Sequence, residues 1–213
     1  MLSQDHKAWA RKKLAGNWMA AIAVCLIADL MSFGVNITEL IPQKGDMAWL
    51  PLAASLLFAM LIGGVTSLGV AHYFTNVAAN RDAQIKNLFA YFKHLGKATW
   101  MSMVMSCYIF LWSLLFIIPG IIATYRYAMV PYLIAEFPDL SVSEAMEESS
   151  RLMRGNKMRL FCLQFSFIGW ILLAMFATFG IGMLWVTPYM HAADAVFYLE
   201  ITGRTGLLHH QEP

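Results

Sequence analysis

The 213-residue chain is 59% hydrophobic and only 13% charged, with a formal net charge of +2 at pH 7. A soluble domain carries about 25% charged residues, so this chain has too few charges to cover a surface that faces water. The net charge is too small to indicate a nucleic-acid partner. The apolar runs are continuous rather than alternating, which predicts an all-α membrane protein with the lipid bilayer as its main partner.

Six apolar segments are of the length that predicts membrane-spanning helices. They are grouped as three hairpins, and a cytoplasmic amphipathic helix that lies in the membrane interface precedes each hairpin. The predicted spans cover residues 18–34, 49–73, 99–118, 121–136, 160–179 and 183–200, and the interfacial helices cover residues 2–14, 81–95 and 141–154.

Lysine and arginine predict the orientation of these spans. In a six-span arrangement nearly all of them fall on one side, and the other side holds only Lys44, with Arg126 inside a span. Because basic loops stay in the cytoplasm, both termini are predicted to be cytoplasmic.

The three hairpins also predict a degenerate parallel repeat within one transmembrane domain. The domain covers residues 1–204, with units at 1–80, 81–140 and 141–204, and a flexible cytoplasmic tail follows at 205–213.

Glycine and a cap residue mark the ends of the amphipathic helices. Ser141 and Glu144 have the spacing of a capping box, and Gly155 is placed to end that helix. Gly16 and Gly96 occupy the corresponding junctions of the other two units.

Proline and glycine also punctuate the hairpins. Pro119 and Gly120 predict a tight turn between the third and fourth spans. Pro131 and Pro188 recur in the returning helices, where they predict kinks that free backbone carbonyls. Close helix approach is predicted at Gly63, Gly64 and Gly69 of the second span.

Arg126 is the most conspicuous candidate site residue, because a charge within a span usually faces protein or water. It follows the Pro119-Gly120 turn by about six residues, roughly 9 Å below the outer surface at 1.5 Å per residue. Asp29 in the first span has a similar predicted depth. One hypothesis is an Asp29–Arg126 ion pair; the other is that Arg126 binds an anionic lipid headgroup or substrate from the outer side.

Two acids end the returning helices near the cytoplasmic side. Glu136 and Asp194 are predicted to bind basic residues of the interfacial helices, such as Arg151 or Arg154, with proton coupling as the alternative. His191 shares a helix face with Asp194, three residues on. It is interpreted either as part of a proton relay or as a buried, hydrogen-bonded histidine.

Motifs for catalysis, cofactors and metals are not found. Cys25, Cys107 and Cys162 are far apart in apolar runs, without CxxC or Cys/His metal spacing. There is no HExxH, no GxSxG and no phosphate-cradling glycine loop. The sequence therefore predicts a protein that is not an enzyme and holds no cofactor.

The series of motif residues in the second half of the chain resembles the domain-of-unknown-function 975 family of bacterial integral membrane proteins. The resemblance implies a six-span protein of the bacterial plasma membrane and brings no established activity. The order of these motif residues along the chain is also similar to that in the membrane domain of some glycerophosphodiester phosphodiesterases, whose catalytic residues belong to a separate soluble domain. The residues that carry it are Pro119-Gly120, Arg126, Pro131, Glu136, Glu144-Ala145, Ser149, Leu152, Arg154-Gly155, 167–170 and 182–189.

Three functions follow as hypotheses. The first is a membrane protein that binds or moves a lipid-like or amphipathic molecule. The second is a scaffold or envelope-homeostasis module that docks a protein partner at its cytoplasmic face, which a closed bundle without cavities would favour. The third is an intramembrane enzyme, which a cavity gathering His191, Asp194 and another acid would favour.

Overall fold

A computed structural model describes residues 3–33 and 49–203, and every regular element in these ranges is helical. The predicted all-α class is therefore confirmed for the described residues, whereas the loop containing Lys44 and the tail at 205–213 lie outside them. The α-helices are α1 (Ser3–Leu14), α2 (Trp18–Phe33), α3 (Trp49–Ala78), α4 (Leu95–Leu115), α5 (Ile117–Tyr127), α6 (Val130–Glu136), α7 (Val142–Leu152), α8 (Lys157–Phe165), α9 (Ile168–Ala177) and α10 (Met183–Ile201), and a 3₁₀ helix (Ile85–His94) precedes α4.

Two helical stretches are long and apolar enough to cross a membrane, judged by length and composition. They are Phe58–Ala78 within α3, and Lys157–Ala177, which comprises α8 and α9. Gln4–Leu14 and Trp18–Met31 meet the same criterion only as a pair, and a bend of 101° separates them. The described residues thus hold two candidate spans, or three if the bent pair is one span, and the six predicted spans are not confirmed.

Helices α3 and α10 form the centre of the molecule. Helix α10 contacts α1, α2, α3, α8 and α9. Tyr73 and Phe74 of α3 and Phe197 and Tyr198 of α10 are fully buried. Large aromatic side chains bury the most apolar surface per residue, so these four side chains anchor the core.

The amino-terminal helix is fastened to this centre by polar contacts. His6 pairs with Glu200 near the end of α10, and Tyr189 donates a hydrogen bond to the Lys7 carbonyl at 3.1 Å. Lys7 Nζ donates to the Ser166 carbonyl between α8 and α9 at 2.8 Å. Helix α1 therefore packs on protein along one face.

The turn between α4 and α5 is not where the sequence predicted it. Phe116 has an extended backbone (φ −165°, ψ 153°) and separates the helices, whereas Pro119 and Gly120 lie inside α5. A proline fits there because the first helical N–H groups have no intrahelical acceptor. Gly120 instead permits close approach, since an added Cβ would overlap Ser113 of α4.

The two prolines of the returning helices have different effects. The chain leaves α5 at Tyr127 and begins α6 at Val130, so the helix is interrupted immediately before Pro131. Pro188 lies inside α10, which continues from Met183 to Ile201. The interruption before Pro131 agrees with the predicted kink, whereas the helix continues through Pro188.

Helix α7 has the predicted cap. The Ser141 hydroxyl accepts from the Glu144 N–H at 3.2 Å, and the Ser141 N–H donates to Glu144 Oε2 at 2.8 Å. Gly155 follows the helix with φ +83°, a conformation that glycine adopts without strain. Gly96, by contrast, is helical in the first turn of α4, so the second unit has no glycine break.

Candidate functional site

A groove of about 880 Å³ lies where α4, α5 and α7 meet, and we call it the basic groove. Its α4 and α7 residues recur every three or four positions, so each helix presents one face to it. The residues that line it are Lys97, Trp100, Val104, Tyr108, Arg126, Tyr127, Ser141, Val142, Ser143, Met146, Glu147, Ser150, Arg151 and Arg154.

Arg126 projects into this groove from the last turn of α5. Its Nε donates to Ser150 Oγ at 2.7 Å, and its carbonyl accepts from Ser149 Oγ at 2.9 Å. The guanidinium carbon lies 5.6 Å from the centroid of the Tyr127 ring. The side chain is thus oriented by neutral groups, and no carboxylate of the described residues lies within ion-pair distance.

The groove carries an excess of positive charge. Four basic residues line it, against the single carboxylate of Glu147. Arg151 is engaged with Glu148, with N–O distances of 2.6 and 2.8 Å, and these hydrogen bonds hold the pKa of the Glu148 carboxyl below its usual value. Lys97 Nζ contacts the Pro138 carbonyl, which is neutral.

The predicted Asp29–Arg126 ion pair is wrong for this structure. Arg126 bonds to Ser150 of α7, while Asp29 lines a different cavity. The contact of Arg126 with α7, a helix predicted to be cytoplasmic, does not agree with the predicted position of Arg126 near the outer surface. The physical reason is that α5 ends one residue after Arg126 and its last turn packs on α7.

The second cavity has about 370 Å³, and we call it the acidic cavity. Asp29 and Asp194 supply its charge, and His191 lines it as well. Asp29 is exposed and stands at the mouth, whereas Asp194 is half-buried. The other lining residues are Ala28, Gly63, Thr66, Ser67, Val70, Ala71, Ala128, Met129, Pro131, Tyr132, Leu160 and Gln164.

A short hydrogen-bond chain reaches the inner carboxylate of this cavity. Tyr125 donates to Gln164 Oε1 at 3.1 Å, and Gln164 Nε2 donates to Asp194 Oδ2 at 3.3 Å. The predicted pairing of Asp194 with a basic residue is therefore wrong: its partner is a neutral amide.

His191 lies in the acidic cavity without joining that chain. Its ring stacks on Phe74 at a centroid distance of 5.4 Å, and it makes no hydrogen bond to the described residues. Neither the proton relay nor the hydrogen-bonded histidine is seen. The gathering of His191, Asp194 and Asp29 around one cavity is nevertheless the arrangement that the enzyme hypothesis requires.

Glu136 pairs with a basic residue of a predicted interfacial helix, as expected, but the residue is Arg81 rather than Arg151 or Arg154. Its Oε1 lies 3.6 Å from Arg81 Nη1, and its Oε2 accepts from the Tyr198 hydroxyl at 2.7 Å. Arg151 faces Glu148 instead. Glu136 thus fastens α6 to the segment after α3 and to α10.

Sequence reasoning missed the neutral polar residues of both sites. No role was assigned to Ser150 or Gln164 from the sequence, and Ser149 was named only as a residue of the family resemblance. Gln164 is a polar amide in an otherwise apolar run, a signal that could have identified it.

The residues described do not provide a metal centre. No group of three or more His, Cys, Asp or Glu side chains in residues 3–33 and 49–203 is arranged to hold a metal ion.

The fold and these sites define an all-helical chain with apolar helices of membrane-crossing length. Within that class, the chain belongs to the family described as "Protein of unknown function (DUF975)", whose model matches residues 1–123 and 114–205. No curated protein and no solved structure matches it. The relation to the membrane domain of glycerophosphodiester phosphodiesterases stays a prediction.

Proposed function

We propose that this chain is an integral membrane protein that binds an anionic amphiphile in the basic groove. One observation carries the proposal: Arg126 is held by Ser150, a neutral group, beside Lys97 and Arg154. A guanidinium positioned in this way keeps its charge for a phosphate or carboxylate, to which arginine binds in a bidentate geometry.

The wall of the groove suits the apolar part of such a ligand. Trp100, Val104 and Tyr108 lie along one face of α4, next to the cations. Aromatic rings with a polar edge are typical of the level at which lipid headgroups meet acyl chains. A lipid-like molecule would therefore place its anion on Arg126 and its chains along α4.

Large apolar side chains exposed on α4 and α9 support a lipid environment. Phe110 and Leu114 of α4 and Phe176 of α9 are 66%, 72% and 76% exposed. Exposed apolar side chains of this size are costly in water and favourable against acyl chains.

We propose a multi-pass location in the bacterial plasma membrane with both termini in the cytoplasm, following the distribution of lysine and arginine. The basic groove then faces the cytoplasmic leaflet, because α7 is one of the predicted cytoplasmic helices. This replaces the earlier expectation that Arg126 is reached from the outer side. Anionic lipids give that leaflet a negative surface potential, which favours a basic site.

Binding is preferred to the two other hypotheses. The grooves and cavities described above do not favour a closed scaffold, although the exposed face of α7 remains available to a protein partner. An enzyme is favoured by the cavity of His191, Asp194 and Asp29. It ranks lower because His191 has no described hydrogen-bond partner that would orient it as an acid or base.

The test measures lipid binding to the purified protein and to its Arg126→Gln variant by native mass spectrometry. Phosphatidylglycerol supplies the anion and phosphatidylcholine is the neutral comparison. We expect Arg126→Gln to weaken phosphatidylglycerol binding roughly 10- to 150-fold, because a hydrogen bond to a charged group contributes about 1.5–3 kcal/mol.

Lys86→Gln is the charge-matched control, since Lys86 is exposed on the 3₁₀ helix outside the groove. It should bind phosphatidylglycerol like the wild type. Equal affinity of a folded Arg126→Gln variant and the wild type would contradict the proposal, as would equal binding of the two lipids.

A further inference from the structure

We propose that the acidic cavity binds a primary ammonium group, carried by a small amine or by a lipid headgroup. This is a second site, and the inference does not rest on the function proposed for the basic groove.

The charges of the cavity favour a cationic occupant. Asp29 and Asp194 line it, and no lysine or arginine is among its lining residues. Asp194 receives one hydrogen bond, from the neutral Gln164 amide, and has no cationic partner among the described residues. A carboxylate among apolar helices is costly unless it takes up a proton or a cation pairs with it, so a positively charged ligand would be stabilised here.

A buried hydroxyl points to the same ligand independently of the acids. Thr66 lines the cavity and is only 7% exposed, yet its Oγ1 has no hydrogen-bond partner among the residues that the structure describes. Buried polar atoms are nearly always hydrogen-bonded, so an unsatisfied one at a cavity wall marks the position of a missing partner. An ammonium N–H donor would supply it.

The size of the cavity favours an organic cation over a bare ion. Its volume of about 370 Å³ is within the range of small-molecule sites, whereas one water molecule occupies about 30 Å³. The described residues also provide no three-ligand group for a metal.

The lining atoms select a primary over a quaternary ammonium. Carboxylate and hydroxyl oxygens accept hydrogen bonds, and a primary ammonium has three N–H donors to offer them. A quaternary ammonium has no donor and is typically held by a cage of several aromatic rings. Here Tyr132 is the one aromatic side chain besides the His191 ring among the described lining residues.

The polar lining comes from separate apolar segments. Asp29 belongs to the bent pair of α1 and α2, Thr66 to the candidate span in α3, and Gln164 to the candidate span formed by α8 and α9. Polar side chains in such segments usually mark a ligand or ion site, and convergence of three on one cavity strengthens that interpretation.

The experiment compares ammonium compounds that differ only in methylation. The purified full-length protein is titrated with ethanolamine and with choline by calorimetry, and retention of phosphatidylethanolamine and phosphatidylcholine is measured by native mass spectrometry. We expect the unmethylated headgroup to bind at least about tenfold more tightly than the methylated one, with binding weakened by a similar factor in Asp194→Asn. Binding of phosphatidylethanolamine alone would identify a lipid headgroup as the ligand, and binding of ethanolamine as well would show that a small amine is sufficient. Either result supports the site.

Thr66→Val and Asp139→Asn complete the set of variants. Thr66→Val removes only an unpartnered hydroxyl, so it should fold and bind more weakly even if Asp194→Asn does not fold. Asp139 is exposed between α6 and α7, and Asp139→Asn should bind like the wild type. Binding that is unaffected by Thr66→Val and Asp194→Asn, equal binding of both headgroups, or no binding of either would overturn the proposal.

The same preparations separate this site from the basic groove. Phosphatidylglycerol binding should be unchanged in Asp194→Asn and weakened in Arg126→Gln, whereas ethanolamine binding should be weakened in Asp194→Asn and unchanged in Arg126→Gln. If one of the two binding sites is not found, the other can therefore still be tested.

Discussion

The side chains of Arg126 and Asp194 are each hydrogen-bonded to a neutral group, the Ser150 hydroxyl in one case and the Gln164 amide in the other. A neutral partner fixes the orientation of a charged group without cancelling its charge, so both charges remain available to ligands. The two sites are also linked through α5: Tyr125, which donates a hydrogen bond to Gln164, directly precedes Arg126 in the chain. A movement of the last turn of α5 would therefore displace a residue at each site.

Single glycines determine how closely α3 approaches its neighbours. A Cβ added at Gly69 would overlap the Leu88 carbonyl of the 3₁₀ helix, and one added at Gly64 would overlap the Ala98 carbonyl of α4. Close approach was predicted for both and is confirmed, whereas Gly63 faces open space.

We expect Gly69→Ala to lower the free energy of unfolding by about 1–3 kcal/mol, the usual cost of overpacking against a backbone that cannot move freely. The measurement is the midpoint of thermal unfolding in detergent. Gly96→Ala is the control, because Gly96 is helical and nothing lies within 4 Å of its added Cβ. An equal midpoint for Gly69→Ala and the wild type would show that the 3₁₀ helix is not held against α3.

At the scale of elements, α7 forms the wall shared by the basic groove and the protein core. Val142, Ala145 and Met146 are buried, while Arg151 in the last turn and Arg154 just after the helix are exposed. The orientation of the helix therefore decides where Arg151 lies, and its capping box fixes where the helix begins.

The cap makes the stability of α7 dependent on pH. Hydrogen bonds from the Ser141 hydroxyl and N–H hold the pKa of the Glu144 carboxyl below its usual value. A lowered folded-state pKa means that this stabilisation is fully present above the ordinary glutamate pKa of about 4.3 and is lost as the pH falls through the lowered value. We expect the unfolding midpoint of the wild type to exceed that of Glu144→Gln at pH 7, and the difference to shrink as the pH falls below about 4.

Glu147→Gln tests whether that effect belongs to the cap. Glu147 lies on the same helix and makes no hydrogen bond to the described residues, so its replacement should not reproduce the pH-dependent difference. A difference between wild type and Glu144→Gln that stayed constant from pH 7 to low pH would argue against the assigned role of the carboxylate.

The beginnings and ends of these helices were largely predictable, because local rules govern them. The Ser141–Glu144 spacing, the Gly155 stop and the break before Pro131 all follow from backbone chemistry within a few residues. The α4–α5 turn was misplaced because proline is common both in tight turns and in the first turn of a helix. Only the packing of α5 on α4 shows which of these two conformations Pro119 adopts.

For the whole molecule, the distribution of basic residues makes a testable prediction of orientation. In a background without its native cysteines, Lys93→Cys and Asp139→Cys should react with an impermeant maleimide from the cytoplasmic face only. Ile181→Cys, in the turn between α9 and α10, should react from the opposite face.

Labelling of intact spheroplasts and of inverted vesicles gives the two arms of this measurement. The three positions are exposed in the structure, so lack of access is not a concern. Labelling of Ile181→Cys and Lys93→Cys from the same face would rule out the six-span arrangement and favour the smaller number of spans that helix length supports.

The sites were less predictable than the helices, because they depend on contacts between distant segments. Charge within an apolar run was enough to single out Arg126, Asp29 and Asp194. It could not reveal that Arg126 meets α7, or that Asp29 and Asp194 share a cavity. Local periodicity specifies which face of a helix is polar, but not which helix it meets.

The central position of α10 has a consequence for how the chain is made. His6, Phe74 and Glu136 all contact residues of α10, yet residues 15–182 are synthesised between α1 and that helix. These contacts can therefore form only after α10 has been synthesised. A chain that ended before Met183 would lack all three of these contacts, so truncation there should destabilise the fold more than loss of the residues after Gly203.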